Sequence, residues 1–168
     1  MKIICRKKGF TLIELLIVVA IIAILAALAF VALNPLERFQ DSYNAQRWAD
    51  VNAIMQAIKL YQLDNNGVYI SDIDDLTVGL YYQIGSGDSC NDTCSNPTVV
   101  LQTECLDLEG LVDEGYLASV PIDPNDTNAG GDETRYYFMK ASTGTVTVGA
   151  CSEQLGSDAV IQAISVSR

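Results

Sequence analysis

The chain has 168 residues, with 10 basic and 21 acidic side chains, five cysteines, no histidine and a net charge of −11 at pH 7. That length holds one small domain rather than two substantial ones. Without histidine the Ser-His and Cys-His catalytic pairs are excluded, no GxxxxGK[ST] phosphate loop is present, and enzymatic activity is not expected.

The N-terminal stretch sets the problem. Lys2, Arg6, Lys7 and Lys8 lead into KKGFTLIELLIVVAIIAILAALAFVAL, residues 7–33. Residues 10–33 are 24 positions whose one formal charge is Glu14. As a helix they span about 36 Å, and a bilayer core of ~30 Å needs about 20 residues. A single membrane span fits, with the basic flank in the cytoplasm and everything from Asn34 onward outside. Beyond that flank, residues 10–168 hold 6 basic and 21 acidic residues, a net charge of −15. Such a domain repels a nucleic-acid backbone and offers no basic stripe in compensation, so direct nucleic-acid binding is not expected.

A cleaved secretory signal is one reading of this run, since Ala26, Ala27, Ala29 and Ala32 could supply a small-residue cleavage site. Glu14 argues against it, because an acidic residue at a helix centre costs roughly 2.5–3.5 kcal/mol on insertion scales. A position near the end softens that cost, and a plain export signal gains nothing from the charge. The run also leads directly into a second helical pattern after Asn34 and Pro35. A cut between Gly9 and Phe10 would give Phe10 a free α-amine four residues from Glu14, on the same helix face. That amine could pair with its own Glu14 or with a neighbour's, and apolar helices side by side would bury one another.

In residues 35–65, Pro35 suits a first helical turn or a bend, with Glu37 near it. Val51, Ile54, Met55, Ile58 and Tyr61 follow the i, i+3, i+4, i+7 rhythm of an apolar stripe, and Asn65, Asn66 and Gly67 read as its stop. This half is amphipathic and should lie against a compact head. Tyr43 and Trp48 read as packing residues, with an interface between subunits as the alternative.

Past Gly67 the signals shorten. Strands are expected at 80–84, 98–102, 135–140 and 145–149, the last two forming a hairpin with Gly144 in its turn, and one more at 160–166. Residues 106–117 read as a short helix ending near Gly115. The fold class is therefore α+β: a long N-terminal helix on a small antiparallel sheet. The expected organisation is a leader at 1–9, a membrane or filament-core helix at 10–33, its amphipathic continuation at 34–66 and a head at 67–168.

Cys5 lies in the basic flank, while Cys90, Cys94, Cys105 and Cys151 lie in the head. Four cysteines in an exported domain suggest two disulfides with three possible pairings. A zinc site is the rival, but histidine is absent and the spacing is not that of paired zinc knuckles. The loop PIDPNDTNAGGDETRYY carries Asp123, Asp126, Asp132 and Glu133. Its oxygen-rich chemistry suits a hard cation, yet the spacing misses the EF-hand pattern, and a plain acidic turn is the default.

KKGFTLIELLIVVAIIAIL resembles the class III signal of type IV pilins and of the pseudopilins of type II secretion. The resemblance covers about residues 6–28: basic flank, G-F-T-L-I-E string and unbroken apolar tail. It implies a pilin-like fold and a filament subunit. Gly9 would precede the cut made by a dedicated membrane peptidase, which also N-methylates Phe10, and Glu14 would guide registration during assembly. It further implies a membrane assembly platform with a separate ATPase. The precursor would be a single-pass inner-membrane protein with its head outside, and the mature chain part of an extracellular pilus or a periplasm-spanning filament. A family-type disulfide staples the C-terminal part of the head, for which Cys105 with Cys151 would serve, leaving Cys90 with Cys94 to close a small loop. The acidic loop is similar in general character to a calcium-binding loop of major pseudopilins, which makes calcium the one ion to consider. Many major pilins carry a proline within the apolar segment, whereas the first proline here is Pro35. The alternatives are a pseudopilin or minor pilin and, in another class, a monomeric membrane-tethered binding module.

Overall fold

The computed structural model describes residues 9–90, 93–95 and 98–168. The basic flank, including Lys2, Arg6, Lys7 and Lys8, lies outside the described residues. The chain divides after Leu36 into two compact units.

The first unit is helix α1, Leu12–Leu33. Thr11 caps it: its hydroxyl accepts from the Glu14 N–H at 3.3 Å, and Glu14 reaches back to the Thr11 N–H at 2.8 Å, a complete capping box. At the other end Asn34 adopts a left-handed conformation, φ 36°. The residue before a proline is disfavoured in the α region, and Asn tolerates the left-handed one, so Asn34 and Pro35 together end α1 and start α2, Pro35–Asp64.

The second unit is built on the far half of α2. Arg47, Val51, Ile54, Met55, Ala57 and Ile58 are buried, and Tyr61 packs at the edge of the same cluster, so the expected stripe is the one the head covers. The helix stops at Gly67 (φ 89°), whose N–H returns to the Gln62 carbonyl at 2.7 Å. Trp48 stays 42% exposed and outside the core, which corrects its reading as a packing residue. It sits one position past Arg47 in the helix and so turns away from the stripe.

Four antiparallel strands form the main sheet in the order β1 (Tyr81–Gln83), β4 (Tyr136–Lys140), β5 (Val146–Ala150) and β6 (Ser165–Ser167). The β4–β5 hairpin is the expected one, registering Tyr137 with Gly149 and Phe138 with Val148, with Gly144 at φ 84° in its turn. Alternation along the strands gives the sheet two buried faces. Tyr82, Tyr136, Phe138, Val146 and Val148 join the α2 stripe in one core. Tyr137 belongs to a second cluster with Cys94, Leu101 and Cys151. Gly149 faces Tyr137, and a Cβ there would run into the tyrosine ring, so the cross-strand pair requires glycine.

The structure corrects two expected elements and adds a strand. The helix at 106–117 is only a five-residue helix, Glu109–Asp113, because Leu106, Leu108, Leu111 and Leu117 are each buried by an irregular path rather than along one helical stripe. The strand at 160–166 shrinks to β6, since Val160 and Ile161 are exposed and only the last residues reach the sheet. Strand β2, Thr93–Ser95, was not expected; it pairs with β3, Thr98–Val100, in a separate two-stranded ribbon.

The disulfides are Cys90–Cys105 and Cys94–Cys151, not Cys105 with Cys151 and Cys90 with Cys94. The Cys90 N–H donates to the Thr103 carbonyl at 2.8 Å and brings that strand of chain beside Cys105. Cys94, on β2, lies under the second face of the sheet, where Cys151 follows directly on β5. The Cα separations of 5.1 and 4.5 Å lie in the bonding range.

Candidate functional site

Every residue of α1 is exposed, and apolar side chains surround it on all sides. At about 1.5 Å per residue its 22 residues reach about 33 Å, enough to cross a bilayer core. Its single carboxylate is not stranded. Glu14 Oε2 accepts from both the backbone and the hydroxyl of Thr11, at 2.8 and 2.7 Å, where the helix start favours negative charge. The Thr-x-x-Glu spacing thus explains how one acidic residue is tolerated at the head of an apolar run.

The residues just before the helix have no packing role in the described chain. Phe10 is 83% exposed, and a Cβ added at Gly9 would meet nothing within 4 Å. A glycine that neither a turn nor a neighbour requires, followed by an exposed aromatic and a capping box, has the character of a recognition sequence. Residues 4–30 match the family of the prokaryotic N-terminal methylation motif. The segment is the class III signal of type IV pilins and pseudopilins. This pilin-type signal supports a type IV pilin-like or pseudopilin precursor, and α1 is long and apolar enough to fit a membrane anchor. Neither the curated proteins nor the solved structures yielded a match to the chain.

Two carboxylates of the acidic loop, Asp123 and Asp126, each pair with an arginine. Asp123 is buried and held by Arg47, whose Nε and Nη2 donate to its two oxygens at 2.7 and 2.9 Å. The same carboxylate accepts from the Asn125 and Asp126 N–H groups at 3.0 and 2.9 Å, shaping the turn. Asp126 takes Arg135 at 3.0 Å and the Ser152 hydroxyl at 2.5 Å. Burial pushes its carboxyl up, but Ser152, the Asn128 N–H and Arg135 outweigh this and hold it below the usual carboxylate range. Asp132 is exposed and joins neither pair. Among the described residues no three His, Cys, Asp or Glu side chains gather around a common point.

Two structural groups were missed at the sequence level. Arg47 is fully buried on the apolar side of α2, and its Nη1 also donates to Asn44 at 2.9 Å. A charge four residues before Val51, in phase with the stripe, was the available signal. Glu153 is buried in an irregular segment after β5, and nothing local in the sequence marks it.

Proposed function

We propose that the chain is a structural subunit of a type IV pilus-like filament. It enters the inner membrane as a single-pass precursor with its head outside, is cut after Gly9, N-methylated at Phe10, and polymerises through α1. The observation that carries this reading is the wholly exposed apolar helix headed by a glycine, an exposed phenylalanine and a capped glutamate.

In the precursor, Glu14 accepts from the N–H and the hydroxyl of Thr11. The cut creates a cationic amine at Phe10, four residues before Glu14 and on its helix face. A neighbour's amine can take the same carboxylate as the helix leaves lipid, where an unpaired charge is expensive. Pairing Glu14 to an incoming amine therefore sets the axial register of helices that are otherwise uniformly apolar. The processing enzyme is a prepilin peptidase with N-methyltransferase activity, and a membrane platform with its own ATPase supplies the work of assembly.

Glu14→Ala tests the pairing. Membrane insertion and cleavage should stay near wild type, while sheared filament falls at least tenfold in yield by immunoblot. Normal yield from the variant would refute registration by Glu14.

A further inference from the structure

The C-terminal strand is held by a carboxylate in an unfavourable place. After β5 the chain passes Cys151 and Ser152, and Glu153 turns inward to 5% exposure. Its Oε1 accepts from the Ile164 N–H at 2.9 Å. Its Oε2, also buried, has no hydrogen-bond partner among the described residues. Ile164 is the residue that leads into β6: its side chain is buried in the main core, and its carbonyl accepts from the Ala150 N–H at 2.9 Å. Glu153 thus fixes the point at which the chain rejoins the sheet after a detour over residues 154–163.

Residues 157–163 are exposed, and β6 is a three-residue edge strand with β5 as its one neighbour. The near end of the detour is tied to α2 by Asn44, Gln40 and Asp41, which bond Gln154, Gly156 and Ser157. The far end is held by Glu153, Ile164 and the β5–β6 ladder, which closes where Val146 and Arg168 exchange both backbone bonds at 2.9 Å.

We propose that Glu153 is a pH-operated latch on the C-terminal strand: neutral, it keeps residues 164–168 on the sheet, and ionised, it releases them. A buried carboxylate with one bare oxygen strongly prefers the neutral form, because ionisation puts an uncompensated charge in a low-dielectric site. The charged and titratable groups facing it are Arg47 from α2, Asp123 from the following loop and Tyr137 from β4. Arg47 is the one cation among them, and both its Nε and Nη2 are engaged by Asp123, whose own charge opposes a second anion. Burial accordingly pushes the Glu153 carboxyl up to about 7, against the pull of the Ile164 N–H, its own backbone N–H and Arg47. A folded value above the unfolded one means the latch is fully favourable below the ordinary carboxylate range. Its hold weakens as pH rises toward and through 7. A head outside the cell would meet that range directly. The latch stands apart from the filament reading, since a tethered head would have it equally.

The test uses the full chain in detergent micelles. Amide hydrogen exchange is followed at Ile164 and Val166 from pH 5.5 to 8.5, corrected for the intrinsic rate. Opening should increase about tenfold or more across that interval, as the differential ionisation of one buried group requires, while the β4–β5 amides of Met139 and Gly149, which do not face β6, change far less. Glu153→Gln keeps an oxygen for Ile164 without the charge and should flatten the dependence. Equal dependence in both proteins would overturn the latch. Should the variant fail to fold, the Glu153 carboxyl ¹³C resonance of the wild type decides: a midpoint near 7 supports the proposal, and one in the ordinary carboxylate range overturns it.

Discussion

Removing the Arg47 guanidinium would leave Asp123 buried without its counter-charge. Arg47→Ala should therefore destabilise the head by about 3–5 kcal/mol, read as a lowered thermal midpoint in near-UV circular dichroism. Arg47→Met combined with Asp123→Leu should recover much of that loss, because replacing both partners strands no charge. The loop's second carboxylate gives a pH signature of opposite sign to that of Glu153. Asp126 is held below its ordinary value, so its contribution is present above the unfolded carboxylate range and is lost as pH falls through the folded value. The head is consequently loosened from both sides, at its acidic loop in acid and at its C-terminal strand toward alkaline pH. Neither effect could be seen in the sequence. Glu153 and Asp126 look like two of 21 interchangeable acids until the fold buries one and gives the other an arginine.

At the level of elements, what is local was legible and what is distant was not. The capping box of α1, the stripe of α2 and the β4–β5 hairpin each follow from spacings within a few residues. Strand β2 and the disulfide pairing depend on a ribbon folding back over a sheet whose last strands lie far along the chain. Cys94–Cys151 alone spans 57 residues. Closing so long a loop restricts the unfolded chain strongly. The double variant Cys94→Ser, Cys151→Ser should lose about 2–5 kcal/mol of stability and expose the Tyr137 cluster, detectable as faster exchange at β1 and β4. Unchanged stability would mean that the second face of the sheet is held by packing alone.

The whole molecule joins an apolar helix that cannot remain in water to a head of strongly acidic character. The helix bears no buried residue within its own chain, so either lipid or other copies must cover it. Processing would remove the four basic residues of the flank and leave a chain of net charge −15. Packing many such heads side by side demands that the apolar cores outweigh charge repulsion between neighbours. On the proposed reading, one signal near the start of the chain sets where the protein sits, what removes its flank and how copies meet.

Intact mass and N-terminal tandem mass spectrometry of material sheared from the cell surface test that account most directly. The account predicts a 159-residue chain beginning at N-methylated Phe10, with Cys90–Cys105 and Cys94–Cys151 both oxidised. A full-length chain still carrying residues 1–9, and found in membranes but never in the sheared fraction, would contradict it.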